Sequence, residues 1–99
     1  MRIVFRTRKL CQAYEEVDRA IRLWGSDVAR KYIQRVEAIY AAQNFDDIKR
    51  FRAFDTHELK GQRAGEWALA LTRRWRLIVI PSESGETVTI KEVTKHYGG

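Results

Sequence analysis

EWALALTRRWRLIVIPSESGETVTIKEV, residues 66–93, holds three apolar runs divided by two short polar connections. In the first run Trp67, Leu69 and Leu71 alternate with Ala68 and Ala70. That period of two marks a strand with both faces at least partly covered, and alanines that would let a helix come close. The second run, WRLIVIP, reaches Pro81, which cannot donate to a ladder and marks the strand's end. The third, TVTIKEV, is rich in β-branched residues and reads as a further strand. Thr72–Arg74 and Ser82–Glu86 are hairpin-length connections, so the three runs form an antiparallel meander. The turn at Arg73-Arg74 lacks the Asn-Gly or Asp-Gly of the tightest hairpins.

Moving toward the N-terminus, the pattern becomes helical. RIVFR, residues 2–6, alternates Ile3 and Phe5 and suits a short edge strand. Thr7 then caps a helix whose apolar positions, Leu10, Tyr14, Val17, Ile21 and Trp24, trace one face through to Trp24. Gly25 is expected to end this helix in a left-handed cap, with Ser26 as the N-cap of the next and Asp27 in its first turn. That second helix runs to about Gln43 with Val28, Tyr32, Val36, Ile39 and Tyr40 as its stripe, which makes a tight αα-hairpin. A third helical piece, FDDIKRF, follows an Asn44 cap with Phe45, Ile48 and Phe51 inward. The fold expected is therefore α+β: an N-terminal strand, an α-helical hairpin, then an antiparallel β-meander. Helices cover one face of a curved four-stranded sheet, and the opposite face is partly open around Arg76.

The chain has 99 residues, the size of a single domain over 1–99. Its hydrophobic content of 44% supplies a core and argues against disorder. The lone Cys11 excludes an internal disulfide and a cysteine metal set, and fits a reducing cytoplasm. Within a helical pattern it reads as a small apolar residue rather than a nucleophile. Charges interrupt MRIVFRTRK, so it does not read as a signal peptide. No stretch approaches the roughly 20 apolar residues of a membrane span. A soluble, cytoplasmic protein is expected. Nineteen Lys and Arg against thirteen Asp and Glu give a net charge of +6, which favours a polyanionic partner over a merely well-solvated surface.

Several chemistries have no residues to support them. The sequence carries no glycine-rich phosphate loop, paired-cysteine site or HExxH. Its two histidines, His57 and His96, are too few for a metal site without carboxylates, so no metal or cofactor is expected. What remains is a group of cations, histidines and a tyrosine around the meander. His57, Lys60 and Arg63 lie in HELKGQRAGEW, residues 57–67; Arg76 follows Trp75; Lys95, His96 and Tyr97 end the last strand. Antiparallel pairing can bring the end of one strand beside the start of its neighbour.

Metal-free RNA cleavage needs residues of these types. A base takes the proton of a ribose 2′-OH, cations stabilise the phosphorane, and an acid protonates the departing 5′-oxygen. Histidine titrates near working pH and fits either proton transfer. Arginine offers a planar fork to non-bridging oxygens, and tyrosine stacks on a base or moves a proton. Each residue also has a plainer reading. His57 is a loop residue bonded to backbone, Lys60 and Arg63 are solvated turn residues, and Lys95 to Tyr97 are a frayed end. Arg76 is harder to dismiss, because an arginine among Ile78 and Ile80 on a strand is usually paired or binds an anion.

Taken together, HELKGQRAGEWALALTRRWRLIV resembles the signature of HigB-type toxins, the plasmid maintenance system killer proteins of the RelE/ParE superfamily. The matching positions are His57, Leu59, Gly61, Arg63, Gly65, Trp67, Trp75, Arg76 and Leu77. The preceding RKLCQAYEEVDRAIRLWGSDVARKYIQRVEAIYAAQN is similar to that family's helical hairpin. The resemblance implies a ribosome-dependent, metal-independent mRNA endonuclease that inhibits translation. Its partners would be the ribosome, mRNA and a HigA-type helix-turn-helix antitoxin, through which alone it reaches operator DNA. It further implies phosphate stabilisation by Lys60 and Arg76, proton transfer by His57, His96 or Tyr97, and docking on RNA by Arg63, Arg73, Arg74 and Lys95. The family commonly ends in Asp-Tyr-His, whereas this chain has Lys95, His96 and Tyr97, so the order of imidazole and phenol is reversed. A gyrase-inhibiting ParE-type toxin, or an inert relative acting in antitoxin-dependent repression, shares the fold implied.

Overall fold

The computed structural model describes residues 1–95. Strand β1 (Arg2–Phe5) leads into α1 (Arg8–Glu15), α2 (Val17–Trp24), α3 (Ser26–Ala41) and the single turn α4 (Phe45–Ile48). A 3-10 turn at Arg52–Phe54 precedes β2 (His57–Glu58), and another at Gly61–Arg63 precedes β3 (Trp67–Ala70), β4 (Trp75–Pro81) and β5 (Thr87–Lys95). The sheet has five strands in the order β1-β5-β4-β3-β2, with β1 parallel to β5 and all other pairs antiparallel. The meander and N-terminal strand are as expected. The fifth strand is new: β2 has only two residues, too few to carry a period.

Alternation sorts the meander onto two faces. Leu69, Leu77, Val79, Val88 and Ile90 are buried against Leu10, Ala13, Tyr32, Val36 and Ile39 of the helices. Ala68 and Ala70 therefore lie on the face away from the helices, not beneath one as the alternation of small residues suggested. No helix among the described residues is long and apolar enough to cross a membrane.

The helix expected to run through Trp24 is broken at Glu16, whose φ of −130° and ψ of 105° are extended. Its N–H closes α1 on the Gln12 carbonyl (2.8 Å), and its own carbonyl accepts from Arg19 N–H (3.0 Å) to begin α2. The fully buried residues are the small Ala13 and Ala20, while Val17, assigned to the apolar stripe, is exposed. Thr7 Oγ1 accepts from Leu10 N–H (3.2 Å), as its capping role predicts. Gly25 caps both neighbouring helices at φ 85°, ψ 165°, a mirror-image extended conformation rather than the left-handed helical one. A side chain is strained there. Ser26 accordingly lies inside α3, where its Oγ accepts from Arg30 Nε (3.2 Å) instead of capping.

Tyr32 ties α3 to α1. Its fully buried phenol donates to the Leu10 carbonyl at 2.6 Å, and burial pushes its pKa well above the usual tyrosine range. Tyr32→Phe should cost about 1 kcal/mol, read as a melting temperature lower by roughly 4–8 °C. An unchanged melting temperature would show that the bond adds nothing to its packing.

Asn44 caps α4 as expected, its Oδ1 accepting from Asp46 N–H (3.0 Å), while Asp47 Oδ2 accepts from Gln43 N–H (3.1 Å). Phe45 and Ile48 are buried, but Phe51 is 47% exposed and not inward. The helix stops at Ile48, so helical spacing no longer applies and Phe54 takes the buried position instead.

Candidate functional site

Register places the chemistry. His57 pairs with Ala68, Ala68 with Ile78, and Ile78 with Glu92. Ala70 pairs with Arg76, and Arg76 with Thr94. Directly paired residues point to one side, so His57 and Arg76 share the face away from the helices. Ladder spacing separates their Cα atoms by roughly 12 Å across β3. Lys95 pairs with Trp75 and holds its ammonium 5.5 Å from that ring, on the helix side. Strand order thus unites His57 with Arg76 and places Lys95 behind them. His96 and Tyr97 lie outside the described residues.

His57 is exposed, and its Nδ1 lies 2.9 Å from the Asp55 carbonyl. A carbonyl only accepts, so Nδ1 carries the proton in this arrangement and Nε2 is left as the acceptor. That is the tautomer a general base needs. The carbonyl is aimed by Asp55 itself, which sits in the left-handed region at φ 46°, ψ 48°. Aspartate tolerates that conformation better than most residues. Asp55 did not stand out in the sequence; the pair Asp-x-His before a short strand is the only trace it leaves.

Arg76 is half-buried and folds back on the β3–β4 turn. Its Nη1 donates to the carbonyls of Thr72 (2.8 Å), Trp75 (3.0 Å) and Arg73 (3.3 Å). No carboxylate pairs with it among the described residues. One nitrogen is thereby anchored, while Nε and Nη2 remain to form a two-point contact with an anion. Arg73 and Arg74 are exposed in the same turn, and Lys60 is exposed just before the second 3-10 turn.

The loop carrying Lys60 is pinned to the sheet by a four-residue ionic network. Glu66 accepts from Arg63 Nη2 and Lys91 Nζ, each at 2.8 Å, and Arg63 also reaches Glu92 at 3.2 Å. Lys91 is available because the β4–β5 register shifts between Ile78 and Val79, leaving it as the extra residue of a β-bulge. Across the loop, Gly65 N–H donates to Glu58 Oε2 (2.9 Å). Arg63 is therefore engaged with two carboxylates and serves the loop's shape. None of Glu58, Glu66, Lys91 or Glu92 stood out in the sequence, because a bulge and a cross-strand network are invisible to periodicity.

The Lys91 ammonium, aided by Arg63, holds the Glu66 carboxyl below the usual glutamate range against the opposing effect of burial. A carboxyl with a depressed folded pKa contributes stability above its unfolded value, about 4.3, and loses it as pH falls through the folded value. Glu66→Gln should flatten the stability profile on the acid side of pH 4.3 or so, read as urea midpoints over a pH series. Parallel profiles for the two proteins would show that the network adds nothing. Cys11 is half-buried, and burial together with Glu15 pushes its thiol up, which disfavours the thiolate. No group of three or more His, Cys, Asp or Glu converges as a metal-binding set among the described residues.

No protein-family profile matches the sequence, and no curated protein sequence matches it. Solved structures do match over nearly the whole chain. A YoeB/ParE toxin from Agrobacterium tumefaciens aligns at 20% identity and a TM-score of 0.58, covering 98% of this chain and 100% of that one. The YoeB-YefM complex from Staphylococcus aureus aligns at 15% identity and 0.56, covering 98% of each chain. A point mutant of YafQ from E. coli aligns at 11% identity and 0.58, covering 99% of this chain and 100% of that one. At such identities the likeness is one of fold: an α+β, RelE/ParE-like architecture.

Proposed function

We propose that this chain is the toxin of a type II toxin–antitoxin pair, and a metal-independent endoribonuclease that cuts mRNA on the ribosome. The observation that carries the reading is the placement of His57 and Arg76 on one sheet face, the face away from the helices. One presents a free Nε2, the other two free guanidinium nitrogens. The fold shared with YoeB, ParE and YafQ structures supports a toxin, and the YoeB-YefM complex supports an antitoxin partner. Within that class a HigA-type antitoxin with a helix-turn-helix domain follows the sequence resemblance.

In the proposed reaction, His57 Nε2 removes the 2′-hydroxyl proton and the freed oxygen bonds to the adjacent phosphorus. Arg76 Nε and Nη2, with Lys60 in the neighbouring loop, hold the non-bridging oxygens as the phosphorane forms. The P–O5′ bond then breaks, and the 5′-oxygen takes a proton from His96 or Tyr97, leaving a 2′,3′-cyclic phosphate and a 5′-hydroxyl. Arg73 and Arg74 meet ribosomal RNA beside the site.

The decisive experiment incubates the purified chain with programmed ribosomes and maps both the cuts and their chemical ends. Cyclic phosphate and 5′-hydroxyl ends, made only when ribosomes are present, are expected. Intact mRNA together with inhibited DNA supercoiling would overturn the reading in favour of a gyrase-directed toxin.

A further inference from the structure

Between α4 and His57 the chain reads KRFRAF, residues 49–54, and the reaction above uses none of it. Phe51 leaves nearly half of its surface in water. A single exposed phenylalanine is ordinary, but this one is built in place. Its ring stacks on Phe54 with centroids 4.6 Å apart and planes 13° from parallel. Phe54 is itself buried, and the Arg35 guanidinium lies 4.3 Å from the same ring centroid. Arg35 and Phe51 thus both pack on the Phe54 ring, and of the three only Phe51 is exposed.

The base of the stack is anchored as well. Arg35 is only 4% exposed, and it donates from Nε to the Ala70 carbonyl (3.0 Å) and from Nη1 to Gln34 Oε1 (2.6 Å). Ala70 belongs to β3, the strand between His57 and Arg76, so the stack and the candidate site share one rigid support. Arg50 and Arg52 flank Phe51 in the chain, and both are exposed. Arg50 is only loosely paired, 3.8 Å from Asp47, and Arg52 makes no ion pair among the described residues. A half-exposed ring stacked on a buried one, with an exposed arginine on either side of it in the chain, matches what single-stranded nucleic acid offers: a base face and flanking phosphates. Phe51 precedes His57 by six residues, so at most about 20 Å of chain separates them.

We propose that Phe51, with Arg50 and Arg52, forms a base-stacking subsite for single-stranded RNA next to the cleavage site. The identity of the ligand rests on the ribonuclease reading. Phe51 stacks on one base, and the two arginines take the phosphates on either side of it.

The test measures binding of the full chain to a fluorescein-labelled 2′-O-methyl oligoribonucleotide, which lacks the attacking hydroxyl and separates affinity from cleavage. F51A should weaken binding roughly 5- to 100-fold, as loss of one aromatic stacking partner does, without changing the salt dependence. F51W should restore affinity. F51L keeps apolar bulk on Phe54 without a flat ring and should bind as weakly as F51A, which serves if F51A does not fold. The R50Q/R52Q pair should instead flatten the log K against log salt slope by about 0.7 per lost phosphate contact. Wild-type affinity in both F51A and F51L would overturn the subsite, and would leave the patch to a protein partner. Unchanged affinity in those variants with cleavage intact overturns the subsite alone. Phe51-dependent binding by a wild-type chain that never cleaves overturns the nuclease reading alone.

Discussion

Arg76→Ala is expected to lower ribosome-dependent mRNA cleavage by roughly 10²- to 10³-fold, the cost of removing a preorganised donor from a developing oxyanion. The size of the effect follows from how the side chain is held. Three backbone carbonyls of the β3–β4 turn take up Nη1, so the guanidinium plane is fixed before substrate arrives and little ordering remains to be done. Arg76→Lys should recover only part of the loss. An ammonium can reach the Thr72 carbonyl or a phosphate oxygen, but it cannot do both with a planar fork. Since the group is half-buried at the end of a hairpin, neither change should unfold the chain. A melting temperature close to wild type would accompany the lost rate. Cleavage at the wild-type rate by a folded Arg76→Ala protein would remove Arg76 from the mechanism.

The second large effect is expected at His57. Its replacement by alanine should reduce cleavage by roughly 10²- to 10⁴-fold, the range for losing a positioned general base. Because the imidazole is exposed, the space it leaves is open to solvent, and added imidazole should restore part of the rate. A purely structural role would show no such rescue. The Asp55 carbonyl adds a distinction. His57→Asn can still donate toward that carbonyl but presents no basic nitrogen, so it should resemble alanine in rate and wild type in stability. Full activity in His57→Ala would shift the base to another group, with His96 and Tyr97 the first to examine.

Much of the architecture was legible because it is local. Alternation in Trp67–Leu71, the apolar run that ends at Pro81 and the β-branched run after it are properties of single strands, and they foretold β3, β4 and β5. Thr7 and Asn44 announced their caps by side-chain chemistry alone. Local rules failed where a helix stopped earlier than its apolar period. The apolar stripe from Leu10 to Trp24 is continuous, and Leu10, Tyr14, Ile21 and Trp24 do meet the core, yet the backbone breaks at Glu16, which leaves Val17 exposed and buries Ala13 and Ala20. Phe51 fits a helical period that ends three residues before it.

The site was legible only as a set of candidate residues. From residue order came the grouping of histidine, lysine and arginine around an antiparallel meander, and the place of Arg76 on a strand among apolar residues. Strand register then settled which of them share a face. Pairing through Ala68 and Ala70 puts His57 and Arg76 on one face and Lys95 on the other. A one-residue bulge brings Lys91 to Glu66 and occupies Arg63. The left-handed turn at Asp55 sets the His57 tautomer, and the buried Arg35 supports an aromatic stack that opens onto solvent. The physical reason is the same in each case. Alternation and capping depend on residues close in the chain, whereas register, bulges and burial depend on pairs that only the folded chain brings together.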